Sequence, residues 1–354
     1  MDPLIVLSAV DQVAAHLREE ILRGGFGDAL PGVNPLSTRL GVNRKTVDAA
    51  LRLLEKEGLL VSQGSGRKRK IVMPKNVKAP ALRVAILTHD VMDRGSNLHQ
   101  QLWYRLEEVG HRPFHPQQTL SEIGSDLKNV ASMVRRSGAD AWVIGAGSKQ
   151  LLHWFAAQET PAFALFGRRG EVPIAGAGPD KSDAFAEATR RLIELGHRRI
   201  SFIGRSLLRS PKPGRSIRAY LDELESAGIR TGPFNLPSWE ESADGFEEIL
   251  SSLSKTTPPT ALFLDEAFLY NAALHHLAAK GLRVPDDVSL ICTDAEASYG
   301  WCRPSVAHVE WDFEPVIRRI VRWTGNVARG IEDRRQSFTE ARFVEGGTIG
   351  PAPN

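Results

Sequence analysis

The chain has 354 residues, enough for two or three domains with a substantial core, which excludes a disordered chain or a disulfide-stapled mini-protein. Its two cysteines, Cys292 and Cys302, show neither metal-ligand spacing nor a disulfide framework, so we expect a reducing, cytoplasmic compartment. The net charge of +3 is uneven, because residues 1–80 hold 13 Lys and Arg against 8 Asp and Glu, and the remainder holds 32 against 34. A polyanionic partner is therefore expected for the first part only.

The apolar run near the start of the chain does not predict a membrane segment. This run, PLIVLSAV at residues 3–10, is too short to span a bilayer and lacks the preceding basic region of a signal peptide. We therefore expect no membrane partner and no export.

The first part of the chain shows a helix-helix-helix-hairpin pattern. The predicted elements are helices at residues 8–25, 35–41 and 43–58, then strands at residues 59–61 and 67–72 joined by a turn. Ser8 and Asn43 are placed to cap the first and third helices, while Gly41 and Gly58 are placed to end the second and third. This order is typical of a winged helix-turn-helix domain, which we assign to residues 1–72.

The third predicted helix begins with a polar first turn. Its apolar residues share one face, so the first turn lies outside the core. The side chains expected there are Asn43, Arg44, Lys45 and Thr46. In a major groove, Arg44 can donate two hydrogen bonds to guanine and Asn43 can pair with adenine, while Lys45 or Thr46 and the helix-end amides hold phosphates.

A basic run follows in the predicted hairpin, beside the flexible Gly64. Its members are Arg67, Lys68, Arg69 and Lys70. They would lie along the DNA backbone or in a minor groove, where counterion release supplies affinity without sequence choice. A basic run can also be only a solvated surface, but its coincidence with three helices and a turn favours DNA binding.

Three tracts carry a resemblance over about residues 8–72: LREEILRGG, ALP and LSTRLGVNRKTVDAALRLLEKEGLLVSQGSG. They resemble the GntR-type winged helix of bacterial transcription regulators. By this resemblance Arg44 keeps a DNA-contacting place, Asp48 replaces a second common Arg, and Asn34 falls in the Arg slot of the usual Ser-Glu-Arg. We add Ser37 to the expected DNA contacts. The operator is expected to differ from the family's commoner ones.

A second pattern starts after a linker predicted at residues 73–81, where two prolines and no apolar period occur. Apolar strands then alternate with amphipathic helices. The predicted strands are LRVAIL, AWVIG, AFALF, RISFIG, TALFL and VSLIC, and the predicted helices cover residues 98–110, 148–157, 181–196, 215–228 and 266–280. Continuous apolar strands separated by helices indicate an α/β fold with parallel sheets covered on both faces.

Two tracts of this segment are the most specific: RRLIELGHRRISFIG and AAKGLRVPDDVSLICTDAEASYGWCRPSVAHVEWDF. Together with the strand-helix order, they resemble the effector-binding domain of LacI/GalR regulators, itself similar to periplasmic sugar-binding proteins, over residues 82–350. The resemblance implies two lobes joined by crossing segments, with a ligand between them. Open parallel sheets also bind ligands beyond the carboxyl ends of their strands for physical reasons.

Polar residues follow three of the predicted strands. They are His89 and Asp90, then Asp265 and Glu266, then Asp294. Ionised carboxylates accept several hydroxyl hydrogens, which suits a polyhydroxyl ligand such as a sugar. The alternative for Asp265 is a helix cap. By the resemblance, Asp294 matches the last Asp of the family's Gly-Tyr-Asp-Asp tract, and Asp265 with Glu266 matches its Asn-Asp pair.

The resemblance implies further ligand-binding positions. Asp180 matches the Asp before the crossover helix, and Asp183 is its rival. The family's Arg-x-x-Gly-Phe tract places its Arg on Ser216, so Arg215 or Arg218 could take that role. Two aromatic positions, Trp239 and Trp311, are candidates for stacking on a ring, with packing in the core as the alternative.

The sequence gives no sign of catalysis. GAGSK at residues 145–149 and GAGPD at residues 176–180 complete no nucleotide-binding fingerprint and are interpreted as loops. No nucleophile elbow, metal-spaced histidine set or pair of catalytic acids occurs. We therefore expect no enzyme activity, no metal and no cofactor.

Both halves of the sequence together predict a ligand-responsive transcription regulator. Its expected partners are double-stranded operator DNA, a small-molecule effector of carbohydrate type and a second copy of the chain, since dimers match palindromic half-sites. Repression is the commoner outcome in both resembled families. The alternative is a cytoplasmic sugar-binding protein or enzyme with no role on DNA.

Overall fold

The structure is a computed structural model that describes residues 8–22, 26, 29–64, 68–72, 80–124 and 126–353. The predicted end of the first helix at residues 24–25, Arg67 and most of the predicted linker lie outside the described residues. Within the described residues, no helix is long and apolar enough to cross a membrane.

The amino-terminal unit is a winged helix, as predicted. Its elements are α1 (Ala9–Leu22), β1 (Ala29–Leu30), α2 (Val33–Leu40), α3 (Arg44–Lys56), β2 (Leu60–Val61) and β3 (Arg69–Ile71). The three helices enclose a core that includes Leu17, Leu36 and Leu51. The sequence did not predict β1, since two residues carry no periodicity; β1 pairs with β3 and completes a sheet of order β1-β3-β2.

The larger unit alternates strands and helices. Its strands are β4 (Arg83–Leu87), β5 (Arg112–Phe114), β6 (Ala141–Gly145), β7 (Ala162–Leu165), β8 (Ala175–Asp180), β9 (Ile200–Ile203), β10 (Ala261–Leu264), β11 (Ser289–Cys292), β12 (Ala307–Trp311) and β13 (Gln336–Val344). Its helices are α4 (Asn97–Glu108), α5 (Leu120–Ile123), α6 (Leu127–Ser137), α7 (Lys149–Ala156), α8 (Ser182–Glu194), α9 (Ser206–Arg209), α10 (Arg215–Ser226), α11 (Ala243–Thr256), α12 (Ala267–Ala279) and α13 (Glu314–Ala328), with 3-10 helices at Met92–Gly95 and Ala297–Trp301.

The strands form one curled, mostly parallel sheet of order β5-β4-β6-β7-β8-β13-β12-β11-β10-β9. The first half of β13 pairs in parallel with β8, and its second half pairs antiparallel with β12. The chain therefore crosses between two lobes after β8, after β12 and within β13. We call residues 82–180 and 312–340 lobe 1, and residues 181–311 and 341–353 lobe 2.

Each lobe buries its strands between two hydrophobic layers. Every residue of β6, β9, β10 and β11 is buried, which explains their continuous apolar sequences. In lobe 1, α4 and α13 cover one face of the sheet, and α6 and α7 cover the other. In lobe 2, α8 and α10 cover one face, and α11 and α12 the other. The predicted α/β class is confirmed.

The interpretation of residues 176–180 as a loop was wrong, because they form most of β8. This strand lies between β7 and β13 without a large apolar side chain of its own. At Gly176 a Cβ would lie 2.7 Å from Arg169 Cδ and 2.9 Å from the Ala164 carbonyl oxygen. Glycine here makes room for a buried arginine, which a hydrophobicity pattern cannot reveal.

Candidate nucleic-acid interface and ligand cleft

The start of α3 combines a capped helix end with exposed cations. Asn43 Oδ1 accepts hydrogen bonds from the Thr46 amide at 2.9 Å and from Thr46 Oγ1 at 3.1 Å. Val47 is buried one residue later, whereas Arg44 and Lys45 are exposed. The four predicted residues thus share one helix end, where the helix dipole also favours an anion.

The preceding helix α2 and its turn hold this end in place. Ser37 Oγ donates to the Val42 carbonyl at 2.6 Å, so its hydroxyl proton ties α2 to the turn before α3. Asn34 lies exposed in the first turn of α2. Gly41 closes α2 with φ of +66°, a conformation that favours glycine.

In the hairpin of β2 and β3, which we call the wing, the basic residues differ in their surroundings. Gly64 has φ of +106° and Lys68 is exposed. Arg69 is turned towards α3, with Nε 2.6 Å from Glu55 Oε1 and Nη2 3.3 Å from Asp48 Oδ1. Sequence reasoning did not identify this cluster, because its partners lie 14 and 21 residues away along the chain.

In lobe 2, an arginine that sequence reasoning missed organises the ends of the strands. Arg205 follows β9, and its Nε and Nη2 lie 2.7 Å and 2.9 Å from the two carboxylate oxygens of Glu266. Its Nη2 also lies 3.7 Å from Asp93 Oδ1 in lobe 1. The rule that polar residues at strand ends line the cleft, applied to the strand RISFIG, would have identified it.

The two acids after β10 are partly buried side by side. Thr293 Oγ1 lies 2.8 Å from the Asp265 carbonyl oxygen and 3.3 Å from its Oδ1. Burial raises the pKa of Asp265. Burial and the neighbouring Asp265 also raise the pKa of Glu266, although Arg205 opposes this shift. The pair therefore holds protons more tightly than exposed acids do.

In lobe 1, the residues after β4 shape the facing wall of the cleft. The Asp90 amide donates to Asp93 Oδ2 at 2.8 Å, and Asp90 Oδ1 accepts from the Met92 amide at 3.2 Å. His89 is half-buried, and burial followed by the charge of Arg205 lowers its pKa. The imidazole is therefore held neutral beside the cationic side chain of lobe 2.

Two further predicted acids, Asp180 and Asp294, lie near Lys181, the first residue of lobe 2. Lys181 Nζ donates to the Thr293 carbonyl at 2.7 Å and lies 3.6 Å from Asp294 Oδ1. Asp180 accepts from Ser182 Oγ at 2.6 Å and pairs with Arg215 Nη2 at 2.7 Å. Their carboxylates thus already have cationic partners.

The alternative candidates for ligand binding are placed differently from Asp180. Asp183, in the first turn of α8, and Arg218, on α10, are both exposed. Arg215 instead contacts the crossing strand, with its guanidinium carbon 5.7 Å from the ring centre of Phe338. Arg169 lies 4.5 Å from the same ring. This half-exposed ring was not predicted, since nothing in β13 distinguishes it in the sequence.

The two residues predicted to stack on a ligand ring contact other groups of the protein. Trp239 Nε1 donates to the Gly204 carbonyl at 2.9 Å, and its ring packs edge-on against Phe246. Trp311 packs edge-on against Phe166, with ring centres 5.6 Å apart. Both rings are only partly exposed.

The two lobes touch through arginines. Besides the contact between Arg205 and Asp93, Arg168 of lobe 1 donates from Nε to the Leu207 carbonyl of α9 in lobe 2 at 2.7 Å. A ligand that entered between the lobes at this edge would meet polar groups from both.

Two family models match the chain. The one described as "Bacterial regulatory proteins, gntR family" matches residues 9–67, and the one described as "Periplasmic binding protein-like domain" matches residues 189–349. The chain is 32% identical over 108 residues to the HTH-type transcriptional repressor PurR of Pasteurella multocida, which covers 30% of this chain and 32% of the relative. The matched segment thus spans about a third of that relative.

Solved structures share the fold. A LacI family transcriptional regulator from Enterococcus faecium with bound ribose aligns with a TM-score of 0.59 at 17% identity, over 76% of this chain and 99% of that one. The lac repressor dimer bound to operator and the anti-inducer ONPF aligns with a TM-score of 0.61 at 17% identity, over 79% and 99%.

The fold and the matched segments define the class, a winged helix joined to a two-lobed periplasmic-binding-protein-like domain. Residues 9–67 thus match the gntR family of bacterial regulatory proteins, and residues 189–349 match the periplasmic binding protein-like domain.

Proposed function

We propose that this chain is a DNA-binding transcription repressor whose two-lobed domain senses a small polar metabolite, most simply a sugar. The observation that carries the proposal is the exposed cationic start of α3 in a chain that also has a polar cleft between two lobes. The winged helix would bind a palindromic operator as part of a homodimer. The proposal includes no catalytic step.

The DNA-binding part of the proposal rests on groups that are free to bind. Arg44 and Lys45 are exposed at the positive end of α3. Asn43 caps the helix with its oxygen, and no group among the described residues accepts a hydrogen bond from its side-chain amide. We assign base contacts to Asn43 and Arg44. We assign phosphate contacts to Lys45, Thr46, Asn34, Gly64 and Lys68.

The ligand-binding part rests on the chemistry of the cleft. We assign to its walls His89 and Asp90 from lobe 1 and Asp265, Glu266 and Asp294 from lobe 2. Asp265, Glu266 and Asp294 already have cationic or hydroxyl partners, and Asp90 accepts from the Met92 amide, so the ligand must offer hydroxyl groups that can share or exchange those bonds. The Enterococcus faecium neighbour, whose structure holds ribose, supports a sugar.

The proposed mechanism couples the two sites through the lobes. A ligand between the lobes would replace contacts such as the one between Arg205 and Asp93, and so change the angle between them. In a dimer this would change the spacing of the two winged helices. A ligand that prefers one state by about 1–3 kcal/mol would change DNA affinity roughly 5- to 150-fold.

A thermal-shift screen of the full chain against monosaccharides, followed by DNA titrations, tests the proposal. A sugar that binds the folded state raises its melting temperature, and the same sugar should change DNA affinity. A melting shift without salt-dependent DNA binding would favour the alternative, a sugar-binding protein with no role on DNA. Salt-dependent DNA binding that no sugar affects would remove the sensing part.

A further inference from the structure

The contact between the wing and α3 is an ion-pair cluster that the proposed function does not use. Arg69 pairs with Glu55 and Asp48, and Asp48 also pairs with the exposed Arg52 at 3.0 Å. The side chain of Arg69 is 19% exposed, whereas that of Arg52 is 75% exposed. Among the described wing residues 68–72, Arg69 is the cation that faces the protein.

The strand geometry places the neighbouring lysines on the other side. Residue 70 of β3 pairs with Val61 on one side and Ala29 on the other, so β3 is the central strand. Side chains alternate along a strand, so Arg69 and the half-buried Ile71 face the core while Lys68 and Lys70 face outward. Both lysines are exposed, so the position of β3 decides where these two cations lie.

The cluster leaves Arg69 little capacity for DNA. Its Nε and one Nη already contact two carboxylates. The two arginines of the cluster, Arg69 and Arg52, neutralise the charges of its two carboxylates, Glu55 and Asp48. A phosphate contact by Arg69 would break bonds that already exist in a partly buried place. Glu55 would then face the DNA without a cation, whereas Asp48 would keep Arg52.

We propose that Arg69 is a positioning residue for DNA recognition. By pairing with Glu55 and Asp48 it fixes the wing against α3, and this sets where Lys68 and Lys70 meet the phosphates, without a contact between Arg69 and DNA. This inference rests on the proposed DNA-binding function and reassigns one of the DNA contacts predicted from the sequence.

The variant Glu55→Gln in the full chain distinguishes a positioning role of Arg69 from simple electrostatic attraction between the domain and DNA. The substitution removes a negative charge and keeps every cation. Attraction alone would make this variant bind DNA more tightly. The inference predicts about tenfold weaker binding to mixed-sequence duplex DNA. It also predicts that the slope of log affinity against log salt falls by about 1 to 2, since each neutralised phosphate contributes about 0.9. Lost stability alone would leave the slope of the folded protein unchanged.

Controls come from the same domain. Glu20→Gln on α1 is matched in charge and should bind as tightly as the unmodified chain or slightly more tightly. Arg69→Gln should weaken binding as Glu55→Gln does, and the double variant should be no weaker than Arg69→Gln alone, because both remove one interaction. Circular dichroism checks folding. If Glu55→Gln does not fold, Asp48→Asn, which removes the longer contact, should show a smaller change in the same direction.

Two results would contradict the inference. If Glu55→Gln binds at full strength or more tightly, while Arg69→Gln lowers the slope by about 0.9, Arg69 is a direct phosphate contact and the inference fails. If the unmodified chain shows no salt-dependent DNA binding, the proposed function fails first, and the inference fails with it.

Discussion

The cations at the start of α3 are exposed, whereas the cations of the cleft are paired with carboxylates. Arg44 and Lys45 are exposed, and no carboxylate among the described residues pairs with them. In the cleft, Arg205 is held by Glu266 and Asp93, and Lys181 lies beside Asp294. A surface for a polyanion gains from free cations, because binding releases counterions from DNA. A partly buried cleft must neutralise its charges within the protein before any ligand arrives.

This comparison predicts its largest effect at Arg205. Arg205→Met leaves the partly buried Glu266 without its paired cation, so we expect the free energy of unfolding to fall by about 2–4 kcal/mol at a pH above about 8, where Glu266 is ionised, as measured by urea denaturation. Arg190→Gln is the control, since Arg190 is 57% exposed and its oxygen partner on Glu223 lies 3.6 Å away. The control should cost about 0–1 kcal/mol. Equal losses in both variants would contradict the contrast between exposed and buried charge.

The second prediction concerns the free cations. Arg44→Ala should weaken selective DNA binding by about 1–3 kcal/mol and relax the sequence preference, as measured by titration against duplexes selected from a random pool. The free energy of unfolding should change by less than about 0.5 kcal/mol, because the side chain is exposed. Lys45→Ala should instead weaken binding to all duplexes alike. A loss of stability without loss of DNA binding would show that Arg44 supports the fold.

The fold was predictable where residues repeat with a period. The helices 43–58 and 181–196 were predicted from apolar spacing and are observed as α3 and α8. The strands β8 and β13 were not predicted, because they depend on pairing with each other across 160 residues of sequence rather than on their own composition. Prediction from one sequence therefore identified both units and missed the strand that joins the two lobes.

The positions of the candidate site residues along the strands and helices were predictable from the sequence. The partners of their side chains were not. The rule of strand ends identified Asp265 and Asp294, yet it could not show that Thr293 and Lys181 already hold them. The basic run of the wing gave Lys68 and Arg69 the same expected role, yet nothing nearby in the sequence indicates that Arg69 has partners on α3. Side-chain partners across elements depend on packing, which local sequence does not encode.

Asp294 is expected to contribute to the binding of a sugar in the cleft. Asp294→Asn should reduce the thermal shift produced by the most effective monosaccharide, with a loss in binding of about 1–2 kcal/mol, because a charge-assisted hydrogen bond becomes a neutral one. DNA affinity without the sugar should stay the same. Asp183→Asn is the matched control, since this exposed acid lies in the first turn of α8. If Asp183→Asn alone removes the thermal shift, the ligand lies at the outer end of α8.

A pH dependence of stability is expected at Glu266. Burial and Asp265 raise the pKa of Glu266 to about 8 from 4.5, so the folded chain binds this proton more tightly than the unfolded chain does. The stability from this group is therefore fully present below pH 4.5 and is lost as the pH rises through about 8. In urea denaturation, the unmodified chain should lose more stability across that window than Glu266→Gln does. A gain instead would show that Arg205 outweighs burial, and that the buried acid of the cleft is ionised before any ligand binds.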